Sequence, residues 1–288
     1  MRLQITTFNV GLFDIQALRQ TIFEFSPYTR LRANALPSLL KDHDTDILCL
    51  QELYHSPDYE LVAEALFETY RFSFRTPCNR LGVLNTGLAI FSKLPLLKCD
   101  ERVFGAQTLD EGLFAKKGFQ IFSVELVPDN LTLVIANVHT TAGGVFKLPN
   151  HPDASKVRQR QLAELVSVLR AQVMPYWMIA GDLNCSPEIS SENYNSLVIA
   201  LNAVDPCARA SRSDQDFITW DPNNPLNKFS RHRSLPPQRI DHILISELLA
   251  DHFSLSARRV FLEPVVRVPR TVPYVSVSDH FGLQVTIE

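Results

Sequence analysis

The sequence has no excess of positive charge. Its 28 Lys and Arg residues face 31 Asp and Glu residues, which gives a formal net charge of −3. Proteins that bind nucleic acid without regard to its sequence use clustered Lys and Arg side chains, which release counterions from the phosphates. This composition makes nucleic acid the less favoured partner, and only a local basic patch would change that expectation.

Paired cysteines and long apolar runs are also missing. The five cysteines form no Cys-x-x-Cys pair, and Cys49 and Cys185 lie within or beside apolar runs, which predicts reduced core cysteines in a reducing compartment. No apolar run approaches the roughly 18 residues that a membrane-spanning helix needs. A strand pattern begins at Leu3, where a signal peptide would lie. We expect a location in the cytoplasm or at a membrane surface, with export by a route that needs no N-terminal signal as the alternative.

The sequence does contain enough hydrophobic residues for a sizeable core. They make up 45% of the 288 residues, beside 20% charged residues. Segments rich in β-branched and aromatic residues recur along the chain and predict strands, several of them apolar throughout, as is typical of strands covered on both faces. The clear cases are Leu3–Asn9, Asp46–Leu50, Gly87–Ser92, Phe119–Leu126, Leu131–Val138, Trp177–Gly181, Ile240–Ile245 and Phe281–Ile287.

Helical periodicity separates these segments. The best pattern runs from about Ser155 to Val173, and weaker ones cover Arg32–His43, Asp58–Glu68 and Glu192–Ala203. No repeat, low-complexity tract or linker divides the chain. We predict a single domain over residues 1–288, an α/β sandwich of two packed sheets with helices outside.

Polar residues stand at one predicted strand end after another. Taken singly, an Asn or Asp there is typical of a turn or a helix cap, a Glu of a solvated surface and a His of a structural role. The joint pattern is harder to explain in this way, because strand ends on one rim of a sandwich converge on a single site. The residues are Asn9, Glu52, His139, Asp182, Asn184, Asp241, Asp279 and His280.

The chemical types of these residues fit one task. Carboxylate and amide oxygens are the ligands that hard divalent cations such as Mg²⁺ select. Two histidines with carboxylate partners provide proton transfer and a hydrogen-bond donor for a phosphate oxygen. A zinc site would need more His or Cys at ligand spacing. The set predicts metal-assisted hydrolysis of a phosphoester.

Six motifs in order carry a family resemblance over residues 1–288. They resemble the endonuclease/exonuclease/phosphatase (DNase I-like) superfamily, and the segment Gly87–Lys93 resembles its GxAIxS strand. The resemblance implies a four-layered α/β sandwich with two central, mostly antiparallel sheets flanked by helices. The motifs are Phe8-Asn9-Val10, Gln51-Glu52-Leu53, Asn137-Val138-His139, Gly181-Asp182-Leu183-Asn184, Ile240-Asp241-His242 and Ser278-Asp279-His280.

The resemblance also implies metal and base roles. Glu52 would be the principal Mg²⁺ ligand, with Asn9 alongside it, Asp279 completing the metal side and Mn²⁺ as a substitute ion. His280 would be the general base that activates water, oriented by Asp241.

The remaining members of the set would act on the phosphate. Asp182 and Asn184 would position the nucleophile and the phosphate. His139 would donate a hydrogen bond to a non-bridging oxygen as charge builds in the transition state.

A short segment before a predicted strand bears on the substrate. The residues Ala115–Phe119 resemble the (R/K)KG(F/W) segment of neutral sphingomyelinases, and inositol phosphatases carry a similar Lys-Gly element. A Lys beside a Gly lets the ammonium and the backbone approach a phosphate together. Lys117, Gly118 and Asn85 are therefore predicted to bind the phosphate or the rest of the substrate.

The strand that ends at His139 gives a second indication. Neutral sphingomyelinases also have His there, followed by an RxxQ helix that Arg158 and Gln161 match, whereas abasic-site endonucleases usually have Tyr. Thr141 departs from the pattern, because sphingomyelinases have a second His at this position. The expected reaction is hydrolysis of sphingomyelin to ceramide and phosphocholine.

Partners follow from this expectation. The substrate would be a sphingolipid head group at a membrane surface, with no obligate protein partner. The apolar loop Val145–Pro149 would either form a lip that dips into the lipid or fold back onto the core.

Three other functions stay open. A nuclease or an inositol polyphosphate phosphatase would use basic residues, for which Arg231-His232-Arg233 with Arg239 is the most compact cluster. A non-catalytic binding scaffold on the same fold is the third.

Overall fold

The apolar runs of the sequence form two six-stranded sheets in the described part of the chain. The computed structural model describes residues 2–17, 20–76, 84–126, 131–144, 148–172, 174–210, 216–230, 232–269 and 273–288. Its elements in chain order are β1 (Leu3–Asn9), β2 (Asp14–Ala17), β3 (Gln20–Glu24), α1 (Thr29–Lys41), β4 (Ile47–Gln51), α2 (Ser56–Leu66), β5 (Phe72–Phe74), β6 (Ala89–Ser92), β7 (Leu97–Val103), α3 (Leu109–Phe114), β8 (Gly118–Leu126), β9 (Leu131–His139), α4 (Pro152–Ala171), β10 (Trp177–Asp182), α5 (Ser191–Leu201), β11 (Ala203–Val204), α6 (Pro206–Ala210), a 3-10 turn (Asn227–Phe229), β12 (Asp241–Ser246), α7 (Glu247–His252), β13 (Leu255–Val260), β14 (Val266–Arg267), β15 (Tyr274–Val275) and β16 (Gly282–Ile287).

Each large sheet has one parallel pair at its centre and antiparallel strands around it. The first sheet has the order β13-β16-β1-β4-β6-β5, in which β1 and β4 are parallel. The second has the order β11-β12-β10-β9-β8-β7, in which β9 and β10 are parallel. The carboxyl ends of the parallel strands and the amino ends of their antiparallel neighbours β16, β8 and β12 therefore lie along one rim. Every strand-end residue of the predicted site lies on this rim.

The two sheets pack face to face with helices outside. Ile5 and Val285 of the first sheet and Phe122, Ile135 and Met178 of the second are fully buried in the core cluster between the sheets. Helices α1 and α2 cover the outer face of the first sheet, and α4 and α5 cover that of the second. The order is helix, sheet, sheet, helix, so the predicted four-layered sandwich is confirmed.

The eight predicted strands and four predicted helices are present, with ends shifted by one to three residues. Helix α4 begins at Pro152 instead of Ser155. Proline is favourable in the first turn of a helix, because it has no N–H that would be left unpaired there. Nδ1 of His151 caps the same turn by accepting a hydrogen bond from the amide of Asp153 at 3.2 Å. No helix in the described residues is long and apolar enough to cross a membrane.

The RxxQ pair of α4 holds the segment that follows β9. The Arg158 guanidinium donates to the carbonyls of Thr141 and Pro149, both at 2.9 Å, and Oε1 of Gln161 accepts from the amide of Thr141 at 2.8 Å. The predicted lip cannot be placed, because 145–147 lie outside the described residues. Its last two residues differ, since Leu148 is exposed and Pro149 is buried.

The cysteines fit the core prediction. Cys49, Cys185 and Cys207 are buried and Cys99 is partly buried, all four with free thiols. Cys78 lies outside the described residues.

Candidate active site

Most of the predicted site residues line one pocket at the rim. Asn9 and Asp241 lie behind the pocket wall, fully buried, and each makes a hydrogen bond to a lining side chain. Asn85 is not among the lining residues, although it lies in the segment before β6. The residues that line the pocket are Glu52, Lys117, His139, Asp182, Asn184, Asp279 and His280.

Asn9 connects the two sheets through the carboxylates. Its Nδ2 donates to Oδ2 of Asp182 at 3.0 Å and lies 3.4 Å from Oε1 of Glu52, while its Oδ1 accepts from the amide of Gly11 at 3.0 Å. The sequence predicted an oxygen ligand here, but the amide nitrogen faces the carboxylates. In this arrangement Asn9 holds Glu52 and Asp182 in place.

Glu52 and Asp182 are strongly desolvated. Burial raises the pKa of Glu52, and the Lys117 ammonium opposes that increase. Burial and then the neighbouring Asp241 raise the pKa of Asp182 to about 7. Glu52 also has a backbone φ of 60°, in the left-handed region that non-glycine residues seldom adopt. Such backbone strain is typical of residues that their surroundings hold in a functional position.

His280 and Asp241 form a buried pair. Nδ1 of His280 lies 2.8 Å from Oδ2 of Asp241. Burial lowers the pKa of His280, but the Asp241 carboxylate outweighs burial and raises the pKa to about 10. Nδ1 is occupied by Asp241, so Nε2 is the ring nitrogen left to exchange a proton within the pocket.

Thr219 and Trp220 position this pair, although neither residue lies in a recognised sequence motif. The hydroxyl of Thr219 accepts from the amide of Asp241 at 3.1 Å, and its carbonyl accepts from the amide of Phe281 at 2.7 Å. Trp220 forms isolated β-bridges with Gln238 and His280. These residues lie in an irregular segment, so no strand pattern marked them.

Lys117 and His139 form a second buried pair on another wall of the pocket. Nζ of Lys117 lies 2.8 Å from Nε2 of His139, which in turn lies 3.6 Å from Asp182 Oδ2 and 3.7 Å from Glu52 Oε1. Burial and then the Lys117 charge lower the pKa of His139 well below its usual value, so the imidazole is neutral. An ammonium has only donors, so we assign Nε2 as the acceptor and place the His139 proton on Nδ1. Lys117 rather than His139 then offers the donor at this corner.

Gly118 fixes the position of Lys117. It is the first residue of β8 and lies opposite His139 in the register with β9. A Cβ at Gly118 would lie 2.2 Å from the carbonyl oxygen of Arg102 and 2.8 Å from Cγ2 of Thr86. Only glycine therefore fits at the point where the Lys117 side chain enters the pocket.

Asp279 and Asn184 are held by hydrogen bonds and by close packing. The Ser26 hydroxyl donates to Oδ2 of Asp279 at 3.1 Å. A Cβ at Gly11, which has a φ of +60°, would lie 2.3 Å from Oδ1 of Asp279. Asn184 donates from its backbone amide to Asp182 Oδ1 at 2.9 Å and from Nδ2 to the carbonyl of Thr140 at 3.0 Å. Its amide oxygen is the part of the side chain free of these contacts.

Sequence reasoning missed the outer walls of the pocket. Two acidic residues of α3, Asp110 and Glu111, are buried in them. Neither residue lies in one of the six motifs, and α3, with only six residues, is too short to show a helical hydrophobic pattern. The aromatic lining residues are Phe13, Phe25, Tyr54, Phe114 and Trp220.

The donor set fits a hard divalent cation. Glu52, Asp182 and Asp279 present carboxylates to one pocket, and Oδ1 of Asp241 is buried without a hydrogen-bond partner. Asp182, Asp241 and His280 can bring one ligand atom each to within 4.8 Å of one another. A cation held by Asp182, Asp241 and His280 would compete with the 2.8 Å bond between His280 and Asp241. We therefore favour a cation site at Glu52 and Asp279.

Solved structures share this fold. The protein SmcL matches with a TM-score of 0.78 and 19% identity over 100% of this chain and 99% of its own. A Staphylococcus aureus beta toxin variant with bound magnesium ions matches with a TM-score of 0.75 and 18% identity over 99% of each chain. Sphingomyelinase C from Streptomyces griseocarneus matches with a TM-score of 0.74 and 17% identity over 100% of each chain. At these identities the likeness establishes the fold.

Sequence comparison gives the family. No curated protein matches the chain at a significant level. The description of the matching family model is "Endonuclease/Exonuclease/phosphatase family", and the match runs over residues 6–280. This range includes all six motifs and every residue of the pocket described above, and the protein therefore belongs to the endonuclease/exonuclease/phosphatase family.

Proposed function

We propose that this protein is a Mg²⁺-dependent phosphodiesterase that hydrolyses sphingomyelin to ceramide and phosphocholine. The family consists of phosphoester hydrolases, which accounts for the reaction type. The observation that supports the proposal best is that the His280–Asp241 pair and the Lys117–His139 pair line the same pocket as three carboxylates. A base, a cationic phosphate contact and a metal site are thus within reach of one phosphodiester.

His280 is the general base of this mechanism. Burial lowers the pKa of His280, but the carboxylates of Asp241, Asp182 and Asp279 raise it to about 10, and a cation bound beside them would offset these charges and leave the ring neutral. The Nε2 of the neutral ring takes a proton from a water molecule, whose oxygen attacks phosphorus in line with the oxygen of ceramide. The bond from phosphorus to that oxygen breaks, and the leaving oxygen takes up a proton. Asp241 keeps the imidazole oriented, because its carboxylate occupies Nδ1.

Glu52 and Asp279 are the residues that would hold Mg²⁺, with Asp182 next to them. Asn9 positions Glu52 and Asp182 by donating from its amide nitrogen. When bound, Mg²⁺ offsets the negative charge of these carboxylates and polarises the phosphoester.

Lys117 and Asn184 hold the phosphate. The ammonium of Lys117 is buried, so its attraction to the negative charge that develops in the transition state is little weakened by solvent. His139 accepts one of the three ammonium protons and thereby fixes the direction of the other two.

The sphingomyelin assignment rests on the surroundings of the phosphate site. The Lys117-Gly118 turn resembles that of neutral sphingomyelinases, and the turn reaches the pocket. Aromatic side chains such as Trp220 and Phe114 share that pocket with the buried carboxylates Asp110 and Glu111. Aromatic faces beside negative charge suit a quaternary ammonium group such as choline. The shared fold with Sphingomyelinase C agrees with this substrate class.

A nuclease or an inositol polyphosphate phosphatase is less well supported by the basic cluster than the sequence indicated. Arg239 is buried and forms an ion pair with Asp205 at 2.7 Å, so its charge is not available to a polyanion. Arg231 lies outside the described residues. A polyanionic substrate would instead meet the carboxylates of Asp110 and Glu111.

A side-by-side turnover assay tests the proposal. The substrates are sphingomyelin in mixed micelles, phosphatidylcholine, plasmid and single-stranded DNA, RNA and an inositol polyphosphate, each with Mg²⁺ and with excess EDTA. We expect phosphocholine release from sphingomyelin that needs Mg²⁺ and is lost in His280→Ala. His151→Ala is the control, since His151 lies outside the pocket. Preferred cleavage of nucleic acid or inositol phosphate would overturn the substrate, and absence of turnover on all of them would favour a binding scaffold.

A further inference from the structure

A second groove opens directly beside the catalytic pocket. It runs between α3 and α4, and its walls include Leu109, Leu113 and Phe114 of α3 and Val157 of α4. Its volume is about 390 Å³, which lies within the range of roughly 300–1,000 Å³ for small-molecule sites. The sequence assigned no function to these residues.

The apolar side chains of α3 are unusually exposed. Leu109 is 84% exposed, Leu113 57% and Phe114 43%. Leu109 and Leu113 are four residues apart, so they lie on the same face of the helix. Single exposed apolar residues are common, but a contiguous group beside a pocket is typical of a binding surface.

The groove adjoins the catalytic pocket. Phe114 and Asp110 belong to the walls of both. The Asp110 carboxylate accepts a hydrogen bond from the Thr108 hydroxyl at 2.8 Å. An aliphatic chain attached to a phosphate in the catalytic pocket can therefore leave past Phe114 and enter the groove.

The charge of the groove selects the occupant. Among the described lining residues the ionisable ones are Asp110 and Asp153, and none of these residues is Lys or Arg. A nucleic acid strand or a second phosphate group would find no cation among the described lining residues, whereas an alkyl chain would meet leucine, phenylalanine and valine. On the basis of the proposed function, we propose that this groove is a subsite that binds one aliphatic chain of the lipid substrate during hydrolysis.

The test compares long-chain and short-chain sphingomyelin at equal concentration in the same mixed micelles, with bis(p-nitrophenyl) phosphate as a water-soluble diester. The variant is Leu113→Ser, and Leu113→Met restores an apolar side chain of similar size. Leu248→Ser is the matched control, because Leu248 is 56% exposed but lies on α7, at the rim opposite the site. Circular dichroism and the thermal midpoint confirm that each variant is folded.

We expect Leu113→Ser to lower kcat/KM for the long-chain substrate about tenfold, since burial of most of a leucine side chain is lost. For the short-chain substrate and the water-soluble diester, kcat/KM should change by less than about twofold. Leu113→Met and Leu248→Ser should resemble the parent protein.

Three outcomes would overturn the subsite. One is an unchanged chain-length preference in Leu113→Ser, and another is a parent protein without such a preference. The third is an equal decrease for long and short chains in the same micelles, which indicates general contact with the lipid surface. If the parent protein cleaves the water-soluble diester but no sphingomyelin, the proposed substrate fails, and that result is distinct from these three.

Discussion

The amino group of Lys117 lies 2.8 Å from Nε2 of His139, and both side chains are buried in the wall of the catalytic pocket. The two residues are neighbours because Gly118 lies opposite His139 in the β8–β9 register. The contact makes His139 an acceptor and leaves the Lys117 ammonium as the donor, which we propose contacts the phosphate. In the proposed mechanism, the strand-end histidine that resembles a phosphate donor in sequence acts through its neighbouring lysine.

Replacement of Lys117 by Met should reduce kcat by about 10²–10³-fold, as is typical when one transition-state donor is removed. Lys116→Met is the matched control, because the adjacent lysine does not line the pocket. Steady-state kinetics on sphingomyelin with saturating Mg²⁺ measures both. Equal effects of the two substitutions would contradict a specific role for Lys117.

Loss of the base should nearly abolish turnover. His280→Ala is expected to lower kcat by about 10²–10⁴-fold, the usual contribution of a general base. Asp241→Asn acts only through His280, so it should lower kcat in the parent protein but have little further effect in His280→Ala. A full additional decrease in the double variant would show that Asp241 acts independently.

Gly118→Ala should destabilise the protein by about 1–3 kcal/mol, because the new methyl group would collide with backbone and side-chain atoms of two neighbours. Gly105→Ala is the control, since a Cβ there would meet only the Glu164 carboxylate, at 3.6 Å. Urea unfolding monitored by circular dichroism measures both free energies of unfolding. Equal stability of the two variants would contradict the close packing at the start of β8.

The buried ion pair of Asp205 and Arg239 should make stability depend on acid pH. Burial raises the pKa of Asp205, but Arg239 outweighs it and holds the pKa below its usual value. A lowered pKa stabilises the folded state above the unfolded pKa of about 3.9, and this contribution is lost as the pH falls through the folded pKa. Asp205→Asn should therefore cost about 3–5 kcal/mol at pH 7.

The decrease in the free energy of unfolding caused by Asp205→Asn should be smaller when urea unfolding is repeated below pH 4. Arg239→Met gives an independent comparison, since it removes the other partner of the same pair. If the difference in free energy of unfolding between the parent protein and Asp205→Asn does not depend on pH, the ion pair does not stabilise the folded state through the lowered pKa of Asp205.

Metal removal should affect stability as well as activity. The carboxylates of Glu52 and Asp279 repel each other, as do those of Asp182 and Asp241, so a bound cation is expected to stabilise the folded state. The thermal midpoint of the parent protein should rise on addition of Mg²⁺, and the rise should be smaller in Glu52→Gln. An equal rise in both proteins would place the ion elsewhere.

The site was predictable where function coincides with a strand end. Asn9, Glu52, His139 and Asp182 each follow an apolar run, and parallel strands bring such ends to the same rim. The atom that Asn9 turns towards the carboxylates was not predictable. It depends on the amide of Gly11 and on the opposite sheet, because Asp182 is 173 residues away in sequence.

Several of the parts of the fold that were missed are short. Helix α3 has six residues and the strands of the β2–β3 hairpin have four and five, too few for a clear hydrophobic period. Thr219 lies in an irregular segment, where its role arises only from contacts with β12 and the residue before β16. Phe114 of α3, Phe13 and Phe25 beside the hairpin and Trp220 beside Thr219 line the pocket, which is why the substrate was harder to predict than the reaction.

The most direct test of the central claim is hydrolysis of sphingomyelin in ¹⁸O-labelled water, with the products analysed by mass spectrometry. Attack of water on phosphorus predicts one ¹⁸O atom in the phosphate of phosphocholine and none in ceramide, only when Mg²⁺ is present and only with His280 intact. Label in the ceramide hydroxyl, or formation of phosphocholine in excess EDTA, would contradict the account.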